Sequence, residues 1–490
     1  MTDFQFVALL LASIGPVLAL GRLAPVPDTL VLFGAGVATT LVPGLPPPRF
    51  DPQLALELFL PPLLYAGAVR ASFHLLRFSL VSGVLLGVAL SLGTVGAVAL
   101  AARLLLGLPW AGAVLLGAVA AVFDTRLFHE AEGRPHVPRQ VADALKAREM
   151  AARVVVVSTL ALALAALKGR APSTGTVLLD VAWDLAGGAA LGLALGRAVA
   201  WLRERVRPAP VEIAVSLATP YIGSLASTAL GVSAVVTITA AALTIGAVRI
   251  DPRTGAQQTS AEARVSAVAF WEEISLILSA VLFLMAGRAL PGAVAALHGW
   301  PLGRLLGVAA GLLALVLLVQ FASSLAAAAL PHPAEELGTR EGPGRVAVAG
   351  VMTWASTRSV IGLVIALSVP AVLPDGRAFA GRDLILAVSS LTILGSVLLQ
   401  GLTLGPLVRR ARLGERGEVD AERREAREAI GRARAGAEGS GLDAGRRTVL
   451  GLRAENRIGD EVAHEMLRET DLHQRATEES PLPGAGPPSP

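Results

Sequence analysis

The chain is built almost entirely from long apolar runs separated by short polar loops. A helix crossing bilayer hydrocarbon needs about 20 mainly apolar residues. That ruler marks thirteen candidate spans, at 4–21, 28–45, 54–69, 78–106, 110–128, 145–167, 176–202, 211–230, 232–248, 268–287, 305–330, 346–369 and 384–408. A membrane barrel would instead show short alternating strands, so the pattern predicts an all-α polytopic membrane protein. Gly231 marks the thinnest boundary, dividing two spans without a polar loop. The third span is short and carries Pro61-Pro62, a pair predicted to break or kink it. Segment 78–106 exceeds what a bilayer needs and is expected to tilt or bend. The first run has no basic leader or clear cleavage site and reads as a retained span.

Composition sharpens this picture. Of 490 residues 53% are hydrophobic and only 16% charged, with mean hydropathy +0.63; a soluble chain carries about 25% charged residues. There is no cysteine, which excludes thiol chemistry, disulfides and Cys-ligated zinc. The net charge of +4 is small for this length and points to no nucleic-acid partner. The basic residues instead alternate from loop to loop. One set holds Arg70 and Arg77, then Arg126, Arg134, Arg139 and Lys146, then Arg203, Arg205 and Arg207, then Arg249, Arg253 and Arg264, then Arg340 and Arg345, then Arg409, Arg410 and Arg412. The intervening loops are poorer, with Arg49, then Lys168 and Arg170, then Arg288 and Arg304, then Arg377 and Arg382. Cytoplasmic loops collect Lys and Arg, so the N-terminus is expected outside and the C-terminus in the cytoplasm, across a cell inner (plasma) membrane. An odd number of spans requires the two ends to lie on opposite sides, which agrees with this.

Residues 1–410 are therefore read as a transmembrane domain and 411–490 as a cytoplasmic helical tail. The tail opens with GEVDAERREAREAIGRARAGAEG, too poor in apolar residues for a core and read as a solvated helix or linker. TVLGLRAENRIGDEVAHEMLRETDLHQRA spaces Leu450, Leu452, Ile458, Val462 and Met466 as one amphipathic helix. The Pro/Gly-rich end, SPLPGAGPPSP, reads as disordered.

Candidate chemistry gathers in 109–167. Asp124 ends one apolar run, and Arg148, Glu149 and Arg153 open the next. A charge at the bilayer centre costs about 2.5–3.5 kcal/mol on insertion scales, so such residues face protein or water, find partners and often mark an ion path. Other ionisable residues have simpler readings. Glu57, Glu272 and Glu273 lie at interfacial positions, Asp180 and Asp184 at the water-accessible outer end of a Gly/Ala-rich helix, and Ser279 in small-residue packing. No nucleotide loop, metal-ligand cluster or nucleophile constellation is present in the sequence, so no enzyme and no cofactor are expected; whether a metal site exists is left open.

At this point the residues resemble a known family. FLPPLLYAGAVR (59–70), PWAGAVLLGAVAAVFD (109–124), FWEEISLILSAVLFLMAGRALP (270–291), WASTRSVIGLVIALSVP (354–370) and LLQGLTLGPLVRR (398–410) are similar, in order, to segments of the monovalent cation:proton antiporter superfamily, in the branch of bacterial NhaP and animal NHE sodium/proton exchangers. The tail segment LRAENRIGDEVAHEMLRETDL also resembles bacterial members. The resemblance implies thirteen helices, inverted repeats with two broken helices crossing near the midplane, a homodimer, and an elevator that exchanges Na+ or K+ for H+. The chain departs from the family at the chemistry. Thr-Asp-Pro stands here as Phe123-Asp124-Thr125, with a hydroxyl one place later and no proline. Glu-Ser-x-x-Asn-Asp stands as Arg148-Glu149-Met150-Ala151-Ala152-Arg153, with Arg153 at the ion-binding Asp. Arginine binds no metal ion and does not deprotonate in proteins.

The resemblance therefore implies Asp124, Thr125, Glu149 and Arg153 as the ion-binding or transport set, with Arg153 expected to pair with Asp124 or Glu149. Arg148 and Arg358 join it as a structural charge network, Arg358 as counter-charge to Glu149 or Asp124. The leading reading is an antiporter with an altered ion site. The alternatives are a transport-silent protein that regulates or senses through its tail, and a transporter of an anion or organic solute. The orientation is checked with a reporter fused to the C-terminus: activity in the cytoplasm is expected, and activity only outside it would overturn the assignment.

Overall fold

The computed structural model describes residues 3–21, 26–42, 52–69, 84–125, 139–167, 169, 177–206, 208–248, 261–329, 344–411, 417–436, 441–455 and 457–479. Residues 70–83, 126–138, 249–260 and 330–343, which carry much of the basic bias, and the end 480–490 lie outside the described residues, as does the side chain of Asp180.

The described chain is helical nearly throughout. The membrane part comprises α1 (Asp3–Gly21), α2 (Asp28–Ala38), α3 (Pro52–Ala68), α4 (Leu85–Leu105), α5 (Trp110–Ala121), α6 (Arg139–Leu167), α7 (Val177–Arg205), α8 (Ala209–Leu230), α9 (Ala234–Val248), α10 (Ala261–Ala296), α11 (Leu302–Ala329), α12 (Arg345–Ala355), α13 (Val360–Leu367) and α14 (Arg382–Ala411). Among the described residues seven helices are long and apolar enough to cross a membrane, and six further apolar helices are shorter. Leu104, Trp183, Leu225 and Leu318 are largely exposed, as side chains facing lipid would be. The boundary at Gly231 holds: α8 stops at Leu230 and Gly231 adopts φ +64°, a left-handed cap that glycine takes without a Cβ clash. The break expected at Pro61-Pro62 is absent, and α3 runs through both prolines. A proline removes one donor but its fixed φ suits a helix, and residues 59–66 are buried and held by their neighbours.

Packing sorts these helices into two groups. In the first, α7 lies along α9, α2 along α10, and α8 and α3 join the two pairs. In the second, α4, α5, α6, α11, α12, α13 and α14 pack on one another. The groups meet where α10 touches α13 and α14, α3 touches α13, and α9 touches α6. Closeness rests on small residues, because lipid gives helices no hydrophobic reason to associate and contact must come from backbone approach. A Cβ at Gly36 would lie 2.1 Å from the Leu284 carbonyl oxygen, and one at Gly287 2.1 Å from that of Phe33. Both positions join α2 to α10.

The tail folds as three helices, α15 (Gly417–Ala435), α16 (Gly441–Ala454) and α17 (Asp460–Glu479). Two expectations are corrected here. The charged stretch contributes Ala426 and Ile430 to a small core with Val449, Leu452, Ile458, Val462, Ala463 and Met466. The segment read as one amphipathic helix divides before Asp460 into α16 and α17. Ion pairs also link the three helices: Arg423 meets Glu465 at 2.9 Å, Arg427 meets Glu469 at 2.7 Å, and buried Arg446 meets Asp443 at 2.9 Å and Asp471 at 3.1 Å. α17 packs against α10.

The α2–α10 contact yields a test with an internal control. Gly287→Ala forces two backbones apart and is expected to cost about 1–3 kcal/mol, as overpacking does. Gly292→Ala on the same helix, with nothing within 4 Å of its Cβ, is expected to be neutral. The thermal midpoint in detergent should fall only for the first.

Candidate functional site

Two helices of the second group are interrupted, and the interruptions meet. After Ala121 the chain turns extended at Val122 (φ −70°, ψ 128°) and continues as strand β1, Phe123–Asp124. After Ala355 it leaves the helix at Ser356 (φ −94°, ψ 73°) and runs through strand β2, Thr357–Arg358, before Ser359 caps α13. β1 and β2 pair antiparallel, Phe123 opposite Arg358 and Asp124 opposite Thr357. The missing proline therefore does not prevent the break at α5. Val122 and Phe123 favour extended backbone, and β2 takes up the hydrogen bonds that the helix gives up. Two hydroxyls and a main-chain N–H add to the junction. Thr357 Oγ1 donates to the Asp124 carbonyl at 3.0 Å, Ser356 Oγ to that of Met352 at 2.8 Å, and the Ser359 N–H to that of Val122 at 3.4 Å.

Broken helices leave orphan carbonyls at their C-terminal ends. Arg358 donates to the Ala120 carbonyl, closing the end of α5, and to the Ser356 carbonyl at 2.9 Å. Its ring neighbour is Phe123, with the guanidinium carbon 5.9 Å from the centroid. This corrects the expected counter-charge role: the hydrogen bonds of Arg358 go to main-chain carbonyls, where a cation also suits the helix dipole. Gln400 of α14, fully buried, does the same for α12, its Nε2 donating to the carbonyls of Thr353 (3.0 Å), Trp354 (3.3 Å) and Ser356 (3.3 Å). Ser396 Oγ hydrogen-bonds the Gln400 side-chain oxygen and accepts from the Arg358 N–H at 3.0 Å.

The ionisable set lies beside this junction. Thr125 Oγ1, one residue past β1, donates to Glu149 Oε2 at 2.7 Å. Glu149 Oε1 accepts from Arg153 Nη2 one turn along α6. All three are buried, as is Asp124. Thr125, Glu149 and Arg153 thus form one connected chain of contacts, with Asp124 adjoining through the main chain. The carboxylate that Arg153 meets is Glu149, because residues four apart share a helix face. Arg148 points the other way, to Ser324 Oγ at 3.1 Å and Ser323 Oγ at 3.5 Å on α11. Glu57, Glu272 and Glu273 are exposed, Asp184 is half-buried, and Ser279 is half-buried in helix packing. Among the described residues no group of three or more His, Asp or Glu could hold a metal ion.

The sequence reading missed Gln400, Ser396 and Gly67. A glutamine and a serine four residues apart in an apolar span were a usable signal for the first two. Gly67 is one glycine among 51, and its role shows only through what lies against it.

A family model for the transmembrane sodium/hydrogen exchanger matches residues 9–410. The chain belongs to the sodium/hydrogen exchanger family. Among relatives of this exchanger, an uncharacterised Na(+)/H(+) exchanger of Mycobacterium tuberculosis is 29% identical over 407 residues, covering 81% of this chain and 72% of that one. The Na(+)/H(+) antiporter NhaP of Pseudomonas aeruginosa is 28% identical over 373 residues, 74% of this chain and 82% of its own. The structure of the sodium proton antiporter MjNhaP1 from Methanocaldococcus jannaschii at pH 8 superposes with TM-score 0.62 at 19% identity, covering 84% of this chain and 99% of that one. This likeness establishes the fold, an all-α antiporter architecture.

Gln400→Leu tests the junction directly. It removes the Gln400 donor from three carbonyls, of which Ser356 keeps Arg358 and Thr353 keeps the Ser356 N–H, at an expected cost of about 1–3 kcal/mol, read as a lowered thermal midpoint in detergent. An unchanged midpoint would show that Gln400 does not hold the break.

Proposed function

We propose that this chain exchanges a monovalent cation, Na+ or K+, for protons through an altered ion site made of Asp124, Thr125, Glu149 and Arg153. The observation that carries the reading is the buried contact chain from Thr125 through Glu149 to Arg153 beside the paired extended segments. A carboxylate that takes either a cation or a proton is the core of an exchange site, and unwound backbone between half-helices adds dipoles that stabilise a bound ion. Glu149 and Asp124 are the carboxylates available to that exchange, and Thr125 offers a hydroxyl oxygen. Arg153 holds a fixed positive charge against Glu149, so an incoming cation competes with a tethered one. The two packing groups support an elevator in which the second group moves against the first. The remaining parts of the reading are a homodimer in the plasma membrane, a transmembrane domain over 1–410, and a tail over 411–490 in the cytoplasm.

A second reading, transport of an anion or organic anionic solute, is favoured by Arg148. It is 2% exposed and its hydrogen bonds go to two serine hydroxyls.

The test is cation-driven dequenching of a pH dye in proteoliposomes, comparing the parent with Arg153→Asp/Ala152→Asn. The double variant removes the tethered cation and supplies a second carboxylate on α6. Arg148 faces α11, so its remaining charge should interfere little. Exchange by the variant at least about tenfold above the parent is the expected result, corresponding to 1.4 kcal/mol. Strong exchange by the parent that the variant abolishes would make Arg153 part of a working site. No cation-dependent proton movement by either protein would contradict antiport.

A further inference from the structure

The guanidinium of Arg153 reaches across from α6, in one packing group, to α3, in the other. A Cβ built at Gly67 would lie 2.1 Å from Arg153 Nη1, 3.1 Å from its Cζ and 3.4 Å from its Nη2. The flat cation therefore lies against bare backbone, in space that any side chain at 67 would fill. Its other edge faces Glu149 Oε1. Arg153 is buried, and Glu149 is its ion-pair partner. The α3 wall of this space is anchored two residues away. Tyr65, fully buried, places its hydroxyl 3.3 Å from Ser216 Oγ of α8, and Trp271 Nε1 of α10 donates to that same oxygen at 3.0 Å. The Tyr65 and Trp271 rings meet at a tilt, with centroids 4.7 Å apart. One wall thus belongs to the first packing group, and the carboxylate belongs to the second.

We infer that Gly67 and Glu149 form a slot for a planar guanidinium cation, filled in this chain by Arg153 as a built-in occupant. Such a cation spreads its charge over a thin plane and is more weakly hydrated than an ammonium ion, so it suits a narrow space with one carboxylate at its edge. The occupant also bridges the two helix groups, and any cation admitted to Glu149 must first displace it. This last consequence rests on the antiport reading; the slot itself does not.

The experiment therefore uses binding rather than transport. The full chain is purified in detergent and unfolding is followed through its six tryptophans. Parent, Arg153→Ala, Gly67→Ala and the double variant are each heated with sub-denaturing guanidinium chloride, and with sodium or tetramethylammonium chloride at matched ionic strength. Guanidinium is expected to restore most of the midpoint that Arg153→Ala loses, sodium less of it and tetramethylammonium none, and guanidinium is expected to do nothing for the double variant. Gly67→Ala alone is expected to lower the midpoint by expelling the guanidinium, and to have little further effect once Arg153 is gone. Equal rescue of Arg153→Ala and the double variant, or strictly additive losses, would overturn the slot. Should Arg153→Ala fail to fold, Arg153→Met takes its place in the same comparison. Failed rescue alongside working exchange would contradict the slot alone, while rescue without exchange would contradict antiport alone.

Discussion

Backbone released from a helix inside hydrocarbon has to find partners within the protein, because each unsatisfied group there costs several kcal/mol. Everything in this molecule's centre follows from that constraint. β1 and β2 satisfy one another by pairing. Arg358 and Gln400 close the orphan carbonyls left at the ends of α5 and α12, and the hydroxyls of Ser356, Thr357 and Ser359 settle the rest. The result is a polar island packed against α6 and α14, an arrangement that would be intolerable facing lipid.

That island fixes where chemistry can occur. Thr125 emerges from the paired segment aimed at Glu149, and Glu149 is held from its other side by Arg153. A buried ion pair is weak evidence for stability, since desolvation offsets much of the attraction, but removing one partner leaves a buried charge and is strongly destabilising. On the proposed reading the pair is therefore a constraint on function: it sets what a transported cation would have to compete with. Arg153 also lies where the two helix groups meet, against Gly67 of α3.

Much of this was legible in the sequence, and the limits have physical causes. Apolar run lengths located the membrane helices, because hydrocarbon thickness acts directly on composition. The order of family-like segments located the crossing and brought Asp124, Thr125, Glu149 and Arg153 to one place. Sequence reasoning leaned to Asp124, on the neighbouring helix, as the partner of Arg153, whereas the pair in the structure is with Glu149, one turn along the same helix. Pro61-Pro62 misled because a local donor loss is outweighed by the burial around it. Gly67 could not be found from the sequence, since a slot is an absence of atoms defined by a side chain 86 positions away. The tail core escaped notice because its few apolar residues are spread over three helices and held by ion pairs.

The central claim is that Arg153 stands at Glu149 in place of a mobile cation. Equilibrium binding of radioactive sodium to the purified chain tests it most directly, with Arg153→Ala set against the parent and Glu149→Gln as the baseline. The account requires sodium to bind Arg153→Ala more tightly than the parent and Glu149→Gln least of all. Equal or tighter binding by the parent would contradict it.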